Sequence, residues 1–480
     1  MAVLHHHCLF RVVICGDHLK EHVHFIGIGG SGLSAIARLL WEQGAQVSGS
    51  DRAPSPFGEE LAKLGIPVLI GHSAGNIAGA NWVVRSSAIP DDNPEVVAAQ
   101  KLGIPVYKRA DFLGKLMDRP RIGIAIAGTH GKTTTTGLTA HVLSQIGADP
   151  SYIVGGTLIG GTNAHFGKGL PFVIEADEYD RMFLGLRPRY AVLTNLEHDH
   201  PDIYPTAGEY IEAFEQFAAL VPADGAVIGC VDDPGVLQLL RKASHSGAKH
   251  IAYGLAAELL PGFGDQLVAQ TLPADAHGFH ALVRARFGGV EETFTLTLAI
   301  PGEHNVRNAL AVLAVTKLLG FPLSVTLPAF ATYQGTNRRF ERVTLANGVQ
   351  GISDYAHHPT EIRATLQAAK AAFPGRKVWA VWQPHTYSRT QTLFNDFAMA
   401  FGAADEVIVT EIYRSREPLQ DYSSARVVEA ISKTHPHARY IETLDQVTQT
   451  LRAELQPGDV LLVMSAGDAD GILSDLKGRK

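Results

Sequence analysis

The chain alternates short apolar, β-branched runs with longer stretches whose apolar positions recur at helical spacing. From His22 it reads HVHFIGIG, then SGLSAIARLLWEQG, AQVSGSD, EELAKLG and WVVRSSAI. Such runs, separated by helical patterns, predict βαβ units and a parallel sheet. A second alternation begins at Arg121, where IGIAIAG runs into KTTTTGLTAHVLSQIG and continues through FVIEAD, YAVLTNL and the amphipathic EYIEAFEQFAAL. Between Ala281 and Ile300 the period shortens to two around Gly288-Gly289, which predicts a small antiparallel hairpin. A helix over His304 to Leu319 leads into a polar, basic junction, GTNRRFE. The third alternation starts at Gly348, with strands VQGISDY, KVWAVWQP, EVIVTEIY and DVLLVMSAG and helices such as TEIRATLQAAKAAF.

The expectation is an α/β protein with three domains over 22–120, 121–336 and 337–480, preceded by an extension, 1–21, of unknown role. The first and third domains read as Rossmann-like, the second as a parallel sheet with a small antiparallel part. No internal repeat and no low-complexity tract is visible.

Composition narrows the classes. A chain of 480 residues is too long for one core, and 46% hydrophobic with 19% charged residues describes a globular protein. The net charge of -7 provides no basic surplus for a phosphate backbone, so nucleic acid is not an expected partner. Only Cys8, Cys15 and Cys230 occur, with no close pair, which argues against a disulfide framework or zinc knuckle and suits a reducing cytoplasm. No apolar run reaches the roughly 18 residues of a membrane span. The first twenty residues lack the basic region and cleavage site of a signal peptide.

Two glycine-rich loops carry the candidate chemistry. Gly27-Ile-Gly29-Gly30-Ser-Gly32 follows a strand and opens a helix, an arrangement that lets backbone approach a pyrophosphate at a helix N-terminus. Asp51 ends the next strand, where a ribose-binding acid would stand. By itself the loop fits NAD or FAD, another nucleotide diphosphate, or close packing alone. Gly128-Thr129-His130-Gly131-Lys132-Thr133-Thr134 again joins strand to helix. Its amides and Lys132 suit β and γ phosphates, and the Thr133 hydroxyl suits Mg²⁺. The loop is shorter than the usual pattern, since Ile126 stands where the first glycine is expected. The central domain is therefore read as P-loop ATPase-type. Two phosphate loops imply two phosphorylated ligands, and an NAD-dependent dehydrogenase has no need of the second.

Two polar clusters end apolar strands: Glu175-Ala-Asp177-Glu178, and Asn195 through His198-Asp199-His200. Ligands of open α/β sheets collect at the carboxyl ends of strands, so both should converge on the ATP phosphates. Thr133 and Glu175 offer oxygens to a hard cation, whereas His200 is a ligand better suited to Mn²⁺ or Zn²⁺. The alternative is that these are solvated strand ends. A zinc hydrolase built on the HDH triplet lacks a H-E-x-x-H motif or cysteine ligands.

Taken together, HFIGIGGSGLSAIA, VRSSAIPDDNPEVVAA, GTHGKTTTT, EADEYD, TNLEHDHPD, GEHNVRNALA, RRFE, DYAHHPTEI and QPHTYSRT resemble the Mur ligase family, in the family's order, from about His22 to Gly467. The likeness is greatest to the branch that joins L-alanine to UDP-N-acetylmuramate with ATP in peptidoglycan synthesis. The related branch that recycles a tripeptide onto the same sugar nucleotide is the alternative.

The resemblance implies that Gly27, Gly29, Gly30, Gly32, Asp51, Ser86 and Ser87 hold a UDP-sugar rather than NAD. It also implies that Gly128 to Thr134, with Asn308 near the adenine and Arg339, hold ATP. Thr133, Glu175 and His200 match the family's contacts to Mg²⁺, with Mn²⁺ as a substitute, and Lys132 its γ-phosphate lysine. Lys132, His200, His357, His358 and Arg389 would be catalytic, while Asp354 and Tyr355 face the amino acid. His357 and His358 equally suit a helix start before Pro359. Ala356, Ser353, Thr386 and the C-terminal SAGDADGI depart from the family pattern in the region of substrate contacts. A monomer and a homodimer both remain open.

Overall fold

The computed structural model describes residues 21–117, 121–242, 247–275, 277–345, 348–415 and 417–477. The extension expected over 1–21, with Cys8 and Cys15, lies outside the described residues except for its last position. Three α/β units follow one another, each built on its own sheet.

The first sheet takes β1 (His22–Ile26), β2 (Gln46–Asp51), β3 (Val68–Ile70), β4 (Trp82–Arg85) and β5 (Val106–Lys108) in the order β3-β2-β1-β4-β5, all parallel. β1 is buried along its whole length, and its two polar members, His22 and His24, both hydrogen-bond to Ser48 Oγ. β3 and β5 are edge strands of three residues, too short to stand out as periodic runs. Helix Arg109–Met117 closes the unit. Its Phe112, Leu113, Leu116 and Met117 join one apolar core with Phe183 and Leu186 of the next, so the two units share a seam.

The second sheet has ten strands: β6 (Ile122–Ala127), β7 (Ser151–Ile153), β8 (Ala164–His165), β9 (Pro171–Glu175), β10 (Tyr190–Leu193), β11 (Ala226–Cys230), β12 (Lys249–Leu255), β13 (Gln266–Asp275), β14 (Gly278–Phe287) and β15 (Val290–Leu298). Their order is β15-β14-β13-β12-β11-β10-β6-β9-β7-β8, parallel except for β13-β14-β15 and β7-β8. The hairpin expected at Gly288-Gly289 is β14-β15, and β13 extends the antiparallel part to three strands. Ile124 and Ile126 face one core and Ala125 and Ala127 the other, so β6 runs through the middle of the domain. Helix Glu303–Leu318 starts one residue before the expected His304. It is apolar all round from Ala309 to Val315 because it is packed between helix Lys132–Gln145 and the sheet.

The third sheet holds β16 (Glu341–Thr344), β17 (Gln350–Asp354), β18 (Val378–Gln383), β19 (Glu406–Val409), β20 (Ala438–Tyr440) and β21 (Val460–Ser465), ordered β16-β17-β21-β18-β19-β20. Only β16 runs antiparallel. Its first residue, Glu341, ends the stretch read from sequence as a junction, and the remainder precedes the third alternation and escaped notice as a strand because half of its residues are exposed. No helix among the described residues is long and apolar enough to cross a membrane.

Candidate active site

The first glycine loop is braced from behind. Gly27, at φ +87°, and Ile28 both donate their N–H to Ser50 O, at 2.8 and 3.1 Å. Gly29 N–H donates to Asp51 Oδ2 at 2.9 Å, and Ser55 Oγ donates to Gly29 O at 2.9 Å. Asp51 thus holds the loop at the strand end where a ribose-binding acid was expected. Ser86 packs under Gly27 and donates its N–H to Ile26 O, Ser87 is exposed beside it, and Gly30 starts helix Ser31–Glu42 at the surface.

The second loop leaves β6 and enters helix Lys132–Gln145. Gly131 has φ +81°, and a Cβ there would stand 2.9 Å from Asn308 Oδ1, so the glycine is required both for the turn and for the approach of Asn308. Asn195 Oδ1 accepts the His130 N–H at 2.9 Å, and Thr129 Oγ1 donates to Glu197 O at 2.6 Å, fixing the loop to the end of β10. Lys132 Nζ donates to Gly128 O at 2.5 Å, to Thr129 O at 3.0 Å and to Glu178 Oε1 at 3.0 Å. Burial opposes the Lys132 charge, yet Glu178, Asp177 and Glu175 hold its pKa above the usual range. Burial pushes Glu178 up to about 7 against the pull of Lys132. Thr133 Oγ1 donates to Glu175 Oε1 at 3.0 Å, and Glu175 Oε2 accepts the Gly155 N–H at 2.8 Å. Thr134 faces Asn308 and Arg339 across one cavity.

His200, at φ +55°, stands 3.7 Å from Glu178 Oε1 and 3.7 Å from Asp199 Oδ2. Burial lowers its pKa, which favours the neutral ring. Thr133 and Glu175 are therefore in direct contact, whereas His200 stands with the Lys132–Glu178 pair. Among the described residues, the close three-ligand group of histidine and acid atoms is a different one: His130, Glu197 and His358.

The third unit closes over these groups. Arg389, on helix Tyr387–Thr392, donates from Nη2 to both Asp199 oxygens at 3.0 and 3.2 Å and from Nε to Oδ1 at 3.3 Å. Burial would raise the Asp199 pKa, but Arg389 holds it far below the carboxylate range. His130 lies 2.9 Å from Glu197 Oε2 and 3.0 Å from Glu361 Oε1, and although burial works against its charge, these acids raise its pKa to about 9. Thr360 Oγ1 adds a bond to Glu197 Oε1 at 2.9 Å.

His358 is the N-cap of helix Pro359–Ala372, paired with Glu361 in a capping box, and burial pushes it down to about 4. Of its two open roles, the helix start is the one this geometry displays. His357 stands with Nδ1 2.9 Å from Tyr355 O and is pushed by burial to about 3. Asp354 accepts the Phe340 and Ala356 N–H groups, so Ala356 occupies a fully buried turn, and burial lifts the acid to about 6. Tyr355 lies beneath the guanidinium groups of Arg338 and Arg339.

Two cavities flank the second loop. One, of about 410 Å³, is lined by His130, Gly131, Thr134, Asn308, Arg339 and Asp354, together with Asp232, His304 and Arg307. The other, of about 610 Å³, lies between the two glycine loops and is lined by Ser31, Gly32, Arg109, Thr133, Glu175, Asp177, Arg338, Arg339 and Tyr355. Sequence reasoning placed Glu197 in a strand-end cluster without a role of its own and missed Arg109, Arg338 and Glu361. Only Glu361 had a readable signal, three residues after His358 at a helix start.

Comparison with known proteins finds matches to all three units. The family description "Mur ligase family, catalytic domain" matches residues 22–121, "Mur ligase middle domain" matches 126–316, and "Mur ligase, glutamate ligase domain" matches 338–467. The chain is 42% identical over 474 residues to a UDP-N-acetylmuramate–L-alanine ligase of Sorangium cellulosum, covering 96% of each. It is 40% identical over 454 residues to the ligase of the same name from Caldanaerobacter subterraneus, covering 93% of this chain and 95% of that one. Among solved structures, the UDP-N-acetylmuramate-alanine ligase of Thermotoga maritima superposes with a TM-score of 0.77 at 30% identity, covering 95% of this chain and 98% of the other. A murein peptide ligase of Psychrobacter arcticus superposes at 0.67 and 25% identity, with the same coverage. With three matched domains in order and full-length relatives at this identity, the chain belongs to the Mur ligase family.

Proposed function

We infer that the protein joins L-alanine to the lactyl carboxylate of UDP-N-acetylmuramate with cleavage of ATP, in peptidoglycan synthesis. One observation carries this reading: both glycine loops border the 610 Å³ cavity, so a sugar nucleotide on Gly27 to Gly32 can present its carboxylate to a phosphate held at Thr133. A dehydrogenase has no use for that second loop.

A carboxylate does not react with an amine unaided, because its charge repels the nucleophile and oxide is a poor leaving group. In the proposed route a lactyl oxygen attacks the γ-phosphorus of ATP, ADP leaves, and an acyl phosphate forms. The amine of L-alanine then displaces phosphate, which keeps the carboxylate oxygen. Lys132 neutralises charge on the transferring phosphoryl group, as it already neutralises Glu178. Asn308 and Arg339 lie along the other cavity in positions suited to the nucleoside end. Arg389 and Asp199 draw the third unit over the centre, which excludes water from the acyl phosphate.

The oxygens of Thr133 and Glu175, in mutual contact, suit a hard divalent cation that retains several waters. Mg²⁺ held there would neutralise phosphate charge. Mn²⁺ is the substitute if the His200 nitrogen is drawn in. The cytoplasm supplies both ATP and nucleotide sugars and is the proposed compartment.

The test is ADP formation with UDP-N-acetylmuramate and, in turn, L-alanine, glycine, L-serine or the cell-wall tripeptide. Turnover that needs the sugar nucleotide and is fastest with L-alanine supports the reading. Turnover with the tripeptide alone would assign the chain to the recycling branch, and ATP cleavage needing neither substrate would refute both.

A further inference from the structure

Arg109 opens helix Arg109–Met117 of the first unit, yet its side chain leaves that unit. Nη1 takes the space that a side chain at position 32 would fill, 1.9 Å from where a Cβ on Gly32 would stand. Nε lies 2.6 Å from Met182 Sδ, and Nη2 donates to Asp177 Oδ2 at 3.3 Å, both partners belonging to the second unit. Gly32 therefore does more than let a ligand approach. It makes room for a guanidinium in the first turn of the helix that the glycine loop opens.

That placement is unfavourable in isolation, because a cation lies against the positive end of helix Ser31–Glu42. It becomes favourable when a diphosphate arrives, since the helix amides and the planar fork of an arginine then address the same oxygens. The present partner is a weak holder. Arg109 and Asp177 are 27% and 41% exposed, and ion pairs of that exposure contribute little. Asp177 lies two residues beyond Glu175 and borders the same cavity as Thr133.

We propose that Arg109 grips the diphosphate of the sugar nucleotide and releases Asp177 in doing so, which makes it the residue through which the first unit reports a bound substrate to the phosphate-transfer centre. This rests on the sugar-nucleotide reading above. The exchange has a sign. Asp177 competes with the ligand for one guanidinium, so removing the acid strengthens binding and removing the arginine weakens it. If the pair only held the two units together, both single replacements would weaken binding alike.

The experiment is calorimetric binding of UDP to the full chain in four forms: wild type, Arg109→Ala, Asp177→Asn and the double variant. Loss of a charge-assisted contact to phosphate weakens UDP by about ten- to a hundredfold in Arg109→Ala. Asp177→Asn tightens it by about two- to fivefold, the scale of a weak exposed pair. The double variant matches Arg109→Ala, because without the arginine the acid has nothing to compete for. Arg109→Lys, which keeps the charge and loses the fork, falls between wild type and Arg109→Ala. A cooperative urea melt with the wild-type midpoint, read on the same samples, reports that each variant is folded.

An Arg109→Ala affinity equal to wild type, a weakened Asp177→Asn, or a double variant restored to wild-type affinity would overturn the exchange. Wild-type protein that binds neither UDP nor UDP-N-acetylmuramate would overturn the sugar-nucleotide reading, and this inference with it.

Discussion

Replacing Asp199 with asparagine should open the enzyme. The Asp199 carboxylate receives three hydrogen bonds from Arg389, and the two side chains are 8% and 9% exposed, so the pair is buried between the second and third units. Removing one member of a buried pair leaves the other charge without compensation, a loss of about 3–5 kcal/mol. Arg389 has one alternative, His385 at 3.3 Å, whose ring cannot replace a carboxylate. If the full loss falls on closure, the ratio of closed to open molecules drops by roughly a hundred- to several-thousandfold. The assays are small-angle scattering for shape and steady-state kinetics for the split between kcat and KM. Asp199→Asn should enlarge the radius of gyration and lower kcat, while the affinity for UDP, bound on the first unit, stays unchanged. Arg389→Met combined with Asp199→Leu should close better than Asp199→Asn, because no orphan charge remains. A single variant with wild-type scattering and kcat would refute the reasoning, as would a double variant more open than the single.

Three further outcomes follow from the same geometry. Lys132→Ala should abolish ligation with little change in UDP affinity, since Lys132 contacts Gly128, Thr129 and Glu178 of the second unit; unaltered turnover would contradict its role. Glu95, fully buried and bonded by His24, Ser50, Ser73 and Asn76, has its pKa lowered from 4.5 to about 2 despite burial, which opposes that shift. A depressed carboxylate stabilises the folded state above its unfolded pKa, so the first unit should lose roughly 3 kcal/mol as pH falls from 4.5 through about 2. Urea melts followed by tryptophan fluorescence should show the loss, and Glu95→Gln should remove that pH dependence. The His130 contact works in the opposite direction: with its pKa raised from 6.5 to about 9, its bonds to Glu197 and Glu361 are fully present below 6.5 and fade as pH rises through about 9. Scattering should show the substrate-free protein opening over that range, and an unchanged profile would count against the contact.

The parts of this molecule legible in sequence are those governed by local rules. Both glycine loops announce themselves because strand, tight turn and helix are consecutive, and the buried parallel strands β6 and β21 are almost wholly apolar runs. The edge strands β3, β5 and β20 are invisible for the opposite reason, being three residues long and partly exposed. What local pattern cannot supply is the partner of a side chain. Arg389 and Asp199 lie 190 positions apart, His130 and Glu361 lie 231 apart, and Arg109 and Asp177 lie 68 apart. Each pair is made by the packing of separate units. The role of Gly32 was half visible: a phosphate-loop glycine by its position, but a seat for Arg109 only once the first and second units are assembled.

The central claim is that a carboxylate oxygen of the sugar nucleotide leaves with the phosphate. UDP-N-acetylmuramate labelled with ¹⁸O in the lactyl carboxylate, incubated with ATP, Mg²⁺ and L-alanine, tests it directly by mass spectrometry of the released phosphate. Acyl-phosphate transfer puts one labelled oxygen in phosphate for every amide formed from a fully labelled carboxylate, and leaves one in the amide carbonyl. Unlabelled phosphate accompanying amide formation would contradict acyl-phosphate chemistry at this site.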